Sequence, residues 1–150
     1  MTQTSEGPTE SVDPHRLRLP SRGNESPVLL GTRCRECGVC VFGPAIFCQS
    51  CTSSSLEPVE LSREGTLFSY TTVRVPPAGW PGPVPYVLGE VELPEGPHVL
   101  AEVIDCADAE LKIGLPVQLA LQTVEGVESG VARVVYKWRP LETSPAPGAK

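Results

Sequence analysis

The sequence predicts a mainly β protein: a small metal-held ribbon, then a five-stranded barrel, with disordered tails at both ends. Three observations carry that expectation. Two Cys-x-x-Cys pairs stand ten residues apart in the first third of the chain. Five runs rich in β-branched and aromatic residues follow, separated by turn residues. Residues 1–27 and 142–150 are rich in Pro, Ser, Thr and Gly, a composition that buries too little apolar surface to offset chain entropy. With 150 residues there is room for about one domain core.

Residues 1–27 hold Pro8, Pro14, Pro20 and Pro27 among Ser, Thr, Gly and charged groups, so a flexible N-terminal tail is expected. Within it, His15-Arg16-Leu17-Arg18-Leu19 alternates basic and apolar residues. That patch could dock on a partner as a short helix or strand, but by composition it reads first as tail.

Residues 28–57 are expected to form the ribbon. Cys34-Arg35-Glu36-Cys37-Gly38 and Cys48-Gln49-Ser50-Cys51 are two knuckles, and the ten residues between them suffice for a hairpin that joins both at one point. Four thiolates at about 2.3 Å from one divalent ion make a closed tetrahedron. Gly38 lets backbone amides approach the sulfurs. Zn2+ on Cys34, Cys37, Cys48 and Cys51 is therefore expected, with iron as the rival that colour would reveal. A closed site leaves no position for water or substrate, so its role is structural. Cys37 and Cys40 form a competing pair; Gly38 favours the Cys34/Cys37 register and leaves Cys40 as a small buried residue entering a strand, Cys40-Val41-Phe42.

Residues 58–141 supply the strand runs Thr66–Val75, Tyr86–Leu93, His98–Ile104, Val117–Val124 and Val131–Trp138. Five strands is the OB-fold number. In the last run, Val134, Tyr136 and Trp138 share one face, while Arg133 and Lys137 share the other, read here as solvated. Ala107–Ile113, closed by Gly114, is the one helical candidate and would plug a barrel end. The stretch Pro76–Pro85 has five prolines and two glycines, so it must protrude or line an edge. Tyr70, Tyr86 and Tyr136 are expected in the barrel core.

Composition also removes function classes. No apolar run approaches the roughly 20 residues of a bilayer crossing, so no membrane partner is expected. The start lacks the basic and apolar segments of a secretory signal, which makes cytoplasmic localisation the expectation and keeps six cysteines reduced. A net charge of −6 and a pI near 4.9 argue against nucleic acid. Between Pro58 and Leu141 six Lys and Arg face eleven Asp and Glu, which argues against a groove tracking a phosphate backbone. There is no Gly-x-Ser-x-Gly, phosphate loop or dinucleotide fingerprint. Cys106 has no His nearby to activate it, and His98 follows the turn Glu95-Gly96-Pro97 with no apparent carboxylate partner. No catalytic residues are assigned, and no activity is expected of the chain alone.

The order Leu29-Leu30-Gly31-Thr32-Arg33-Cys34, Cys37-Gly38, Cys48-x-x-Cys51 and Leu56–Thr71 resembles a known family. Further likeness lies in Pro85–Gly96, in Leu111-Lys112-Ile113-Gly114-Leu115-Pro116-Val117 and in Trp138-Arg139-Pro140. The family was first catalogued as a domain of unknown function, number thirty-five, and joins a rubredoxin-like zinc ribbon to an OB-fold domain. The resemblance runs from Val28 to Leu141. It implies a noncatalytic accessory subunit in a hetero-oligomer with a thiolase-like enzyme, such as a thiolase, an aldolase or a hydratase, in lipid or steroid metabolism. Such a subunit helps to form or cover an acyl-CoA channel, with acyl-CoA as a shared ligand. Arg74 and Trp80, at and in the Pro-rich stretch, are the candidate contacts to acyl-CoA or the partner. Two alternatives are a single-stranded nucleic-acid-binding OB-fold protein and a purely structural scaffold between CoA enzymes.

Overall fold

The computed structural model describes residues 9–20, 26–80, 82–124 and 131–141. Among these, ten strands form two sheets. The ribbon sheet is centred on β3 (Val28–Cys34). It pairs antiparallel with β4 (Cys40–Phe42) on one side and with β5 (Leu56–Glu60) on the other. Gly31 lies where all three meet. A Cβ there would come within 2.6 Å of the Val41 carbonyl oxygen and 2.9 Å of Leu61 Cδ2, so only glycine lets the layers close.

The barrel is built from β6 (Glu64–Val73), β7 (Tyr86–Glu92), β8 (His98–Val103), β9 (Pro116–Val124) and β10 (Ala132–Pro140). Neighbours run β6–β7–β8–β10–β9 and back to β6, with β8 and β10 meeting only at Val103 and Trp138. That is the five-stranded barrel expected, and its last strand shows the expected parity, with Val134 and Trp138 buried. A bulge between Leu67 and Ser69 gives β6 an extra residue, Phe68, which is turned outward.

Leu67, Val91, Val99, Val117 and Trp138 fill the barrel, and the Trp138 indole N–H donates to the Val99 carbonyl at 3.3 Å. Leu17, Leu29, Cys40 and Leu61 belong to the same cluster, so ribbon and barrel share one core.

Two expectations are corrected. Residues 9–20, expected within a tail, are built into the fold. β1 (Thr9–Ser11) pairs parallel with β10, and β2 (Leu17–Arg18) pairs antiparallel with β3. Leu17 is 0 % exposed, Arg16 sits over the Phe42 ring and Arg18 pairs with Glu60. The apolar patch therefore docks on its own chain and straps barrel to ribbon. The remainder of both expected tails, at residues 1–8, 21–25 and 142–150, lies outside the described residues.

The second correction is the helix. Ala107–Ile113 forms turns, with the Glu110 N–H on the Ala107 carbonyl. Seven residues give too few backbone bonds to offset helix nucleation. The chain instead bonds to the barrel, where Gly114 N–H donates to Leu67 and Leu67 N–H to Leu115.

Candidate metal centre and barrel groove

The ribbon positions its thiols by one repeated local geometry. Cys34 N–H donates to the Val39 carbonyl, and Gly38 N–H donates back to the Cys34 carbonyl. Fourteen residues on, Cys48 N–H donates to Ser53 and Thr52 N–H to Cys48. In each knuckle the residue after the second cysteine is left-handed, Gly38 at φ 78° and Thr52 at φ 64°. The first is legible as glycine; the second is not, because threonine rarely takes that conformation.

The result is a cluster in which the sulfurs of Cys34, Cys37, Cys48 and Cys51 all lie within 4.8 Å of one another. The Cys34–Cys51 and Cys37–Cys48 sulfur pairs are each 3.5 Å apart. A tetrahedral zinc with bonds of about 2.3 Å requires sulfurs about 3.8 Å apart, so the donor set fits a metal ion such as zinc. Cys34 and Cys48 are buried, whereas Cys37 and Cys51 face outward.

Electrostatics favour the same occupant. The amides of Cys51 and Ser50 point at the Cys48 sulfur and pull its pKa down to about 6. Cys34 is lowered by the Cys37 and Glu36 amides, working against burial. The Ser53 amide pulls Cys51 down as well, but the neighbouring thiols outweigh it and push the group up to about 12. Four adjacent sulfurs cannot all ionise unaided, and a dication removes that conflict.

Cys40 is not part of the cluster. Its side chain enters the shared core, where burial raises its pKa. Cys106 is half-buried, its pKa raised by burial and then by Glu110 and Asp108.

His98 departs from expectation. Its Nδ1 lies 2.7 Å from Glu90 and its Nε2 3.1 Å from Glu92, with Phe68 packed against the ring. The carboxylates are six and eight residues away in sequence, and the β7–β8 register, in which His98 faces Glu92, brings them in. Both ring nitrogens are thereby occupied.

A groove of about 810 Å³ opens between β8, β9, β10 and the Pro-rich stretch. Trp80 forms one wall, stacked on Tyr86 at 4.2 Å and 21°, with its indole N–H on the Pro83 carbonyl. Arg74 is exposed at the end of β6 and does not line the groove, so the two sequence candidates are not brought together there. Arg133 and Lys137 do line it. Lys137 is ion-paired with Glu102, each side chain only 13 % exposed, which corrects the solvated face expected for it. Two tyrosines differ from the core expected: Tyr70 is exposed and Tyr86 lies under Trp80, whereas Tyr136 packs against the core, edge-on to Phe42.

Beside the metal cluster, Ile46 and Phe47 stand 87 % and 60 % exposed, next to an apolar hollow of about 570 Å³ floored by Val39, Val41 and Leu56. In the sequence the pair shows only as two adjacent apolar residues before a knuckle.

Comparison with known proteins places this architecture. Residues 58–122 match the family described as ChsH2, C-terminal OB-fold domain. A DUF35 domain-containing scaffold protein of Methanothermobacter thermautotrophicus is 33 % identical over 134 residues, covering 88 % of this chain and 97 % of that protein. The chain belongs to the DUF35 family. The benzoylsuccinyl-CoA thiolase subunit BbsA of Thauera aromatica is 33 % identical to this DUF35 chain, over 85 % of its length and 86 % of that subunit. Among solved structures, the Ltp2-ChsH2(DUF35) aldolase matches with a TM-score of 0.59 and 28 % identity, covering 75 % of this chain and 84 % of that one.

Proposed function

We propose that this DUF35 chain is a noncatalytic, zinc-holding accessory subunit of a thiolase-like acyl-CoA enzyme, joined to it as a hetero-oligomer in the cytoplasm. The observation that carries the reading is the near full-length similarity to a benzoylsuccinyl-CoA thiolase subunit. The likeness to a chain of an aldolase assembly runs in the same direction.

The chemistry of the chain is consistent with that division of labour. A four-thiolate zinc is coordinatively full and holds the ribbon, residues 28–57, in shape. The two His98 nitrogens are engaged by carboxylates rather than by a nucleophile. The exposed Ile46–Phe47 pair is an apolar surface of the kind that partners cover. The barrel, β6 to β10, offers the groove walled by Trp80 as the place where the chain meets acyl-CoA or the partner, with Arg74 outside it.

The test is reconstitution. The zinc-loaded chain alone should turn over no acyl-CoA substrate by condensation, cleavage or hydration, while adding it to the enzyme that co-purifies with it should restore that enzyme's activity or solubility. Turnover by the chain alone would overturn the proposal, as would an enzyme equally active and soluble without it.

A further inference from the structure

The barrel wall has a gap. β10 pairs with β9 from Arg133 to Pro140 on one side. On the other side it meets β1 only at Ala132–Val134, and β8 only at Trp138. Between these contacts, Val135–Lys137 has no strand opposite it among the described residues.

Peptide groups alternate sides along a strand with a period of two. The Val134 carbonyl accepts from Val12 N–H, and the Trp138 carbonyl accepts from Ile104 N–H. Both point to the gap side, so the N–H and C=O of Tyr136, midway between, point there too. The gap borders the 810 Å³ groove, which Val12, Ile104 and Tyr136 line at this edge and Gln122–Val124 line on the far side of β10. It is a three-residue stretch of sheet edge, about 10 Å long, beside a groove.

We propose that this slot takes an extended segment of a partner polypeptide, added to β10 as a short strand. The chain already seats one strand on this same edge, since β1 lies against the preceding three residues. An incoming segment continues that row of main-chain bonds up to β8. Main-chain bonding to Tyr136 supplies affinity, and side chains facing the groove supply selection. Val135 and Ile104 favour an apolar residue at one position. Lys137 is neutralised by Glu102, whereas Arg133, in register with Glu10 of β1, is exposed and enters no ion pair among the described residues, so it stands available to a carboxylate of the incoming segment. The inference rests on the reading of the chain as a partner-bound subunit and names the surface that the partner uses.

The test is amide exchange on the full-length chain, free, in its purified complex, and free with acetyl-CoA as a small-molecule probe. Exchange at Tyr136 should slow roughly tenfold or more in the complex and remain unchanged with acetyl-CoA. Arg133→Glu, at an exposed position, should weaken assembly by roughly tenfold without changing the melting temperature of the free chain. A complex that forms with Tyr136 exchange unchanged overturns the slot and leaves the subunit reading standing, and protection by acetyl-CoA alone also overturns it. Protection by a polypeptide that is no acyl-CoA enzyme removes the thiolase reading and leaves the slot.

Discussion

Ribbon and barrel reach the folded state by different physics. The barrel closes five strands around Leu67, Val91, Val99, Val117 and Trp138, all fully buried. The ribbon has three short main strands, and its far end is organised by four sulfurs instead of a core. Its apolar residues Leu29 and Leu61 are buried only because they join the cluster beneath the barrel. The difference separates two kinds of cooperativity: the barrel depends on apolar burial throughout, while the ribbon depends on a metal at one end and on the barrel at the other.

The largest effect should come from breaking the metal end. Structural zinc in isolated small domains contributes about 10–16 kcal/mol, with ligand binding and folding inseparable. Cys48→Ser, or removal of metal by a chelator, should lose the metal and bring the amides of residues 32–40 to exchange rates near those of an unfolded chain. The β6–β7 amides should stay protected. Loss of barrel protection at the same chelator concentration would show that the two regions are one unit.

Breaking the barrel end should cost less but act globally. Trp138→Ala removes the largest fully buried side chain and leaves the Val99 carbonyl without its indole donor. The expected loss is about 3–5 kcal/mol, read as a lower urea midpoint. A midpoint unchanged within error would mean that the barrel collapses around the gap, contrary to close packing.

Between the two lies the strap. Leu17→Ala empties a fully buried site where barrel and ribbon meet, but β2 is only two residues long and can settle. About 2–3 kcal/mol is expected, near the lower bound for such a truncation. A tail residue would show no effect, so the variant measures directly whether residues 9–18 belong to the fold.

What was legible in the sequence follows how local each signal is. The knuckles and the five strand runs are written in neighbouring residues, and the parity of Val134 and Trp138 fixes which face of β10 is interior. The strap was legible only in part, because the alternation of Leu17 and Leu19 with Arg16 and Arg18 marks a possible strand, but one too short to show that it pairs with β3 of the same chain rather than with a partner. The His98 site was hidden for a related reason: Glu90 and Glu92 reach it only once the β7–β8 register is known. Arg133 and Lys137 look alike in sequence, yet Glu102, on another strand, makes one a half-buried pair and leaves the other exposed. The helix failed for the opposite reason, since local propensity over seven residues was outweighed by bonds to the barrel.

The smallest effect should sharpen the comparison by pH, acting on the barrel alone. His98 is held by Glu90, and further by Glu92, so its folded pKa is raised above the ordinary 6.5 despite some burial. A raised folded value means that the folded state binds the proton more tightly than the unfolded chain does. The stabilisation is therefore fully present below about 6.5 and is lost as pH rises through the folded value. His98→Gln should lower the melting temperature at pH 6 and leave it nearly unchanged at a pH well above the folded value, with the β6–β7 amides following the melting temperature and metal content constant throughout. An equal loss at both pH values would assign the contribution of His98 to packing against Phe68 rather than to its charge.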